Sequence, residues 1–260
     1  MSRQRLDDLK AGGVPGARPA ASPVRPTARA LAEVVGGQES RCDKLVYWSL
    51  ETPFDDVCAQ HEVRPRSLLR PLHYNVGGGH PAVVDARRTM ILDIETGGFS
   101  GAPVFLIGLA LLDDRPLRVR QFLARDYPEE EAILRALARL TTERDTWVTF
   151  NGKSFDEPFL RDRATIHRVR LTPPRLHVDL LHAARRVWRG QVPNCRLGTL
   201  EEHILHRPRV GDVPSSDVPD LFHHFIRTGN AAPLRPVLVH NQIDLVSATE
   251  LLLRLVTANA

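Results

Sequence analysis

At 260 residues, with 42% hydrophobic and 25% charged side chains, the chain can bury an ordinary core, with room for one domain of about 150–180 residues and a lesser segment. A formal net charge of +4 is compatible with nucleic-acid binding without requiring it, and three widely spaced cysteines (Cys42, Cys58, Cys195) exclude a disulfide framework, so a cytoplasmic compartment is expected. No stretch approaches the roughly 18 uncharged apolar residues of a membrane span, and the charged start of the chain has no apolar run behind it, so no membrane partner is expected.

Residues 11–32 are dominated by Ala, Pro, Gly and Arg, which bury little apolar surface; residues 1–40 are expected to be a disordered tail. Residues 41–88 are expected to form a small appendage packed on the main domain. Asp43-Lys-Leu-Val-Tyr-Trp-Ser-Leu suits a strand, residues 54–72 have weak helical spacing, and Gly77-Gly78-Gly79 is a flexible joint.

Regular structure begins at Thr89. Met90-Ile-Leu-Asp-Ile-Glu-Thr reads as a strand closed by Gly97-Gly98, Val104-Phe-Leu-Ile-Gly-Leu-Ala-Leu-Leu as a second, and Leu117-Arg-Val-Arg-Gln-Phe-Leu as a third. Pro128-Glu-Glu-Glu opens a helix with Ile133, Leu134, Leu137 and Leu140 on its apolar side. Thr146-Trp-Val-Thr-Phe is a fourth strand, broken by Asn151-Gly152. Helices fill most of the chain beyond it, ending in one from about His240 to Val256. The order predicts an α/β fold over residues 89–258, with three antiparallel strands, then parallel ones, flanked by helices.

Asp93 and Glu95 alternate with Leu92 and Ile94, so the two carboxylates share one strand face. Burying both costs several kcal/mol unless a cation compensates. Asp156 falls at the start of the helix after the fourth strand, with Phe155, Phe159 and Leu160 anchoring it. His240 and Asp244 are four apart and share a helix face. Each fragment alone has a plain structural explanation: a solvated edge, a helix-start acid, a capping histidine. Together, the hard oxygen donors suit a pair of Mg²⁺ or Mn²⁺ ions, which can clamp a scissile phosphate while a histidine takes the proton from water. Zinc is disfavoured, because the cluster has no cysteine and one histidine.

The order Asp-x-Glu, Asn-x-x-x-Phe-Asp, His-Asn-x-x-Asp resembles the three exonuclease motifs of the DnaQ-like superfamily, whose members carry four acidic ligands. Phe150-Asn-Gly-Lys-Ser-Phe-Asp, Leu176-His-Val-Asp-Leu-Leu-His and Arg196-Leu-Gly-Thr-Leu-Glu-Glu are most similar to YprB-type ribonuclease-H-like proteins. The resemblance implies a ribonuclease-H-like fold. It implies a metal-dependent 3′→5′ exonuclease in which Asp93, Glu95, Asp156 and Asp244 bind two metal ions and His240 holds the general-base position. It covers residues 89–255. In the histidine branch of that superfamily the base stands five residues before the last aspartate; here the gap is four, the spacing of the tyrosine branch.

The expected partner is a single-stranded 3′ end of DNA or RNA. Thr96, Asn151, Lys153 and Phe155 are the candidate substrate contacts, and the arginines between Arg161 and Arg196 are a candidate phosphate track. Asp179 is read as a structural acid or helix cap, and Trp147 and Trp188 as core. The alternative is a nucleic-acid-binding module of the same fold with little or no catalysis.

Overall fold

The computed structural model describes residues 26–59, 72–74, 82–114 and 116–257. In chain order, α1 (Ala28–Val35) starts where Thr27 accepts a hydrogen bond from the Ala30 amide, and buries Leu31 completely. The tail expected over residues 1–40 is therefore corrected for residues 26–40: past Pro26, a capped run of good helix formers finds a core to dock on. Residues 1–25 lie outside the described residues.

β1 (Gln38–Cys42) and β2 (Leu45–Pro53) form a hairpin, followed by the single turn α2 (Phe54–Val57). β2 pairs antiparallel with β7 (Arg118–Leu123), so this segment extends the central sheet rather than forming a separate appendage. The physical reason is edge coverage: β7 buries every second residue and would otherwise expose an unpaired row of amides and carbonyls. Trp48, 1% exposed, secures the hairpin; its indole donates to the Gly36 carbonyl, and the Arg125 guanidinium lies 5.6 Å from its ring. β3 (Leu72–Tyr74) and β4 (Ala82–Val84) make a two-stranded ribbon; the expected glycine joint between them lies outside the described residues.

β5 (Thr89–Thr96), β6 (Val104–Leu111) and β7 form the expected antiparallel set. α3 (Glu130–Thr141) follows a turn capped by Asp126 and buries Ile133, Leu134 and Leu137. It carries the chain across to β8 (Thr146–Thr149), parallel to β5. After α4 (Asp156–Ile166) comes β9 (Leu176–Asp179), a second parallel strand of the expected set whose place the sequence did not mark, since four residues are too few to show a period. α5 (Leu180–Trp188), α6 (Leu197–His203), α7 (Val218–Thr228) and α8 (Leu234–Thr257) complete the fold. α8 begins before His240, with Pro236 tolerated in its first turn, so Asp244 sits inside the helix rather than at its start.

The seven-stranded sheet has the order β1-β2-β7-β6-β5-β8-β9 and separates two cores. Met90, Leu92 and Ile94 join one core with α3 and α7; Ile91 joins the other with α5 and the body of α8. Alternation along β5 therefore turns Asp93 and Glu95 toward the α8 side. Trp147 and Trp188 are core residues, as expected. Among the described residues, no helix is long and apolar enough to cross a membrane.

Candidate active site

β5 carries the first two carboxylates to its C-terminal end, where its pairing register with β6 shifts between Glu95 and Thr96. Asp156, the first residue of α4, is buried, and its Oδ1 accepts from the Ile94 amide at 3.2 Å, which ties it to the strand that bears the other two. The turn that delivers Asp156 is tightly specified. Asn151 adopts a φ of 66°, and a Cβ at Gly152 would lie 2.4 Å from the Thr149 side chain. Asp179, the N-cap of α5, accepts from the amides of Asn151 (2.9 Å), Lys153 (3.1 Å) and Leu181 (3.0 Å). It serves as the structural acid expected.

From α8, Asn241 reaches β5 and donates from Nδ2 to Asp93 Oδ2 at 2.8 Å, while its Oδ1 accepts from Gln121 at 2.8 Å. Gly108 on β6 makes this approach possible: a Cβ there would stand 2.2 Å from Asn241 Oδ1. One helical turn on, Asp244 shares its face with His240, whose Nε2 is 3.7 Å from Asp244 Oδ2.

Asp93, Glu95, Asp156, Asp244 and His240 line one cleft of about 210 Å³, together with Thr96, Asn151, Phe155 and Ser215. Of the expected substrate contacts, Lys153 is not in its lining; its side chain is exposed beyond the turn. Burial and then the charges of Asp244, Asp156 and Glu95 push the Asp93 carboxyl well above the usual range. Burial, then Asp244 and Asp156, push Glu95 up to about 8, and burial pushes Asp156 up to about 7. Asp244 is also raised by burial, although Arg209 and His240 oppose the rise.

Sequence reasoning missed the loop after α6. Arg209 pairs with Glu201, Asp212 and Asp244, its Nη1 donating to Asp212 Oδ2 at 2.8 Å. Glu201 is fully buried and also accepts from Ser247. Burial opposes the charge on Asp212, but hydrogen bonds from Arg209 and His240 outweigh it and hold that carboxyl below the usual range. No periodicity marks an irregular loop; the one sequence signal was Glu201, inside the Arg196-Leu-Gly-Thr-Leu-Glu-Glu motif.

Among the described residues, no three His, Cys, Asp or Glu side chains stand together as a ready metal shell. Asn241 holds Asp93, and Arg209 draws Asp244 toward Glu201, so the acids share the cleft without collapsing on one point. In charge and donor type the cleft nevertheless suits hard divalent cations: its acidic groups offer oxygen alone, and their mutual repulsion is only partly offset. A larger, more apolar hollow of about 420 Å³, lined by Val57, Val210, Val239 and Ile243, contains none of these four acids.

The arginine track is thinner than its sequence suggests. Arg161 pairs with Glu157, Arg163 and His167 with Glu130, and Arg175 with Asp145, while Arg185, Arg189 and Arg196 are exposed.

The sequence model described as RNase_H superfamily matches residues 90–256. Over 166 residues the chain is 36% identical to the uncharacterized protein YprB of Bacillus subtilis, a match spanning 61% of this chain and 40% of that protein. The fold is similar to the family B DNA polymerase from the hyperthermophilic archaeon Pyrobaculum calidifontis, with a TM-score of 0.51 and 16% identity, over 88% of this chain and 39% of the polymerase chain.

Proposed function

Because the chain belongs to the RNase_H superfamily, we propose that it is a metal-dependent 3′→5′ exonuclease of the DnaQ-like type, acting on a single-stranded 3′ end of DNA or RNA. The observation that carries this reading is the meeting of Asp93, Glu95, Asp156 and Asp244 in one cleft, with carboxyls pushed up by burial and by one another. Asn241, the Ile94 amide and Arg209 offset only part of the crowding of these four acids, which weakens the fold; divalent cations would remove the remaining penalty.

These four residues would hold two Mg²⁺ or Mn²⁺ ions, which when bound polarise the phosphate and supply a nucleophilic water. His240, at the same cleft, takes the proton of the attacking water. Thr96, Asn151 and Phe155 border the cleft and are assigned to the terminal nucleotide; Lys153 is assigned to a phosphate farther from the scissile bond.

One observation favours the alternative of a binding module: Arg209 already supplies Asp244 with a cation. Degradation of 5′-labelled single strands of DNA and RNA in Mg²⁺ or Mn²⁺ distinguishes the two. A ladder of shortened 5′-labelled products from wild type, abolished by Asp93→Asn and by Asp156→Asn, is expected. Equal degradation by all three proteins removes the catalytic assignment. Retention of strands without cleavage, and without Mn²⁺ uptake in calorimetry, establishes the binding module instead.

A further inference from the structure

His240 offers its two ring nitrogens to different surroundings. Nδ1 is 2.8 Å from each carboxylate oxygen of Asp212, whereas Nε2 is turned toward Asp244. Asp212 is itself fixed on both oxygens: the Val213 amide donates to Oδ1 at 2.9 Å, and Arg209 Nη1 donates to Oδ2 at 2.8 Å. A carboxylate oxygen that receives these bonds can only accept, so the proton between Asp212 and the ring belongs to Nδ1. Arg209 Nη1 also comes within 3.4 Å of Nδ1, but a guanidinium has only donors and cannot partner a protonated nitrogen. The shorter contacts to Asp212 decide the tautomer.

We infer that Asp212 is the positioning residue of His240, holding the imidazole in its Nδ1–H tautomer so that Nε2 presents a bare lone pair to the acid cleft. The catalytic consequence rests on the nuclease reading above; the tautomer does not. The helix alone does not supply this orientation. A histidine one turn before Asp244 is brought to the correct face by α8, but the rotation of its ring is set from outside, by the loop between α6 and α7. A histidine at the four-residue spacing thereby gains the cleft-facing, unprotonated nitrogen that a general base needs.

Long-range ¹H–¹⁵N spectra of the full chain labelled with ¹⁵N-histidine test this directly at pH 8, with the His240 signals identified by their loss in His240→Gln. The Nδ1–H pattern is expected in wild type, and a mixture with Nε2–H in Asp212→Ala. An Nε2–H or doubly protonated His240 in wild type overturns the inference, whether or not the variant folds; so does an unchanged ring in a folded Asp212→Ala. On labelled strands, Asp212→Ala should lower kcat about 10- to 100-fold, with KM within about twofold, and should cost nothing further in a His240→Ala background. The same loss with and without His240 means that Asp212 acts elsewhere, and sinks the assignment. If wild type degrades no strand, the nuclease reading fails by itself and the spectra still decide the tautomer.

Discussion

Arg209 reaches from the loop after α6 to Asp244 in the middle of α8, and the same guanidinium binds the fully buried Glu201. One arginine thus serves both as structural counterion to a buried acid and as occupant of a candidate metal ligand. Breaking a buried pair costs about 3–5 kcal/mol, because the remaining charge is left without compensation. Arg209→Gln is therefore expected to lower the melting temperature in EDTA, and Mn²⁺ should restore more of it than it adds to wild type. Melting curves with EDTA and with Mn²⁺ provide the check; an equal Mn²⁺ gain in both proteins would show that Arg209 and the cation do not compete.

The raised carboxyls make stability depend on pH in a stated direction. Glu95 titrates near 8 and Asp156 near 7 in the folded chain, both above the ordinary carboxylate range of the unfolded chain. The folded state therefore binds more protons between about pH 4 and pH 8, and stability from these groups falls as pH rises through that window. In EDTA, the Asp93→Asn, Glu95→Gln double variant should lose less stability than wild type between pH 5 and pH 8. Urea denaturation at both pH values measures the difference, and parallel losses would refute it.

Gly108→Ala should destabilise by about 1–3 kcal/mol through overpacking, since its Cβ would meet the Asn241 amide at 2.2 Å. Pairing it with Asn241→Ala should recover part of that cost and still leave Asp93 without its hydrogen bond. A double-mutant cycle in chemical denaturation reads the coupling; simple additivity would place the clash elsewhere.

The hairpin before Thr89 is integral to the sheet, so Trp48→Ala is expected to cost about 3–5 kcal/mol although no residue of its strand lines the cleft. Denaturation of the full chain tests this. A loss under about 1 kcal/mol would mean that residues 38–53 contribute little to the domain.

The sequence by itself was enough for whatever depends on neighbours in the chain. Alternation set Asp93 and Glu95 on one face of β5, Asn151-Gly152 marked the end of β8, the acids after Pro128 marked a helix start, and a four-residue spacing put His240 and Asp244 on one helical face. β9 and the pairing of β2 with β7 were not legible, because a four-residue strand has no measurable period and strand pairing joins residues distant in sequence. The partners of the site acids were hidden for the same reason. Asn241 reaches Asp93 only because Gly108 leaves a gap on a third element, and Arg209 and Asp212 come from an irregular loop whose path is set by what it packs against. Local periodicity dictates which way a side chain faces along its own element; only the folded chain decides what stands opposite it, since those contacts are settled by long-range packing and charge compensation.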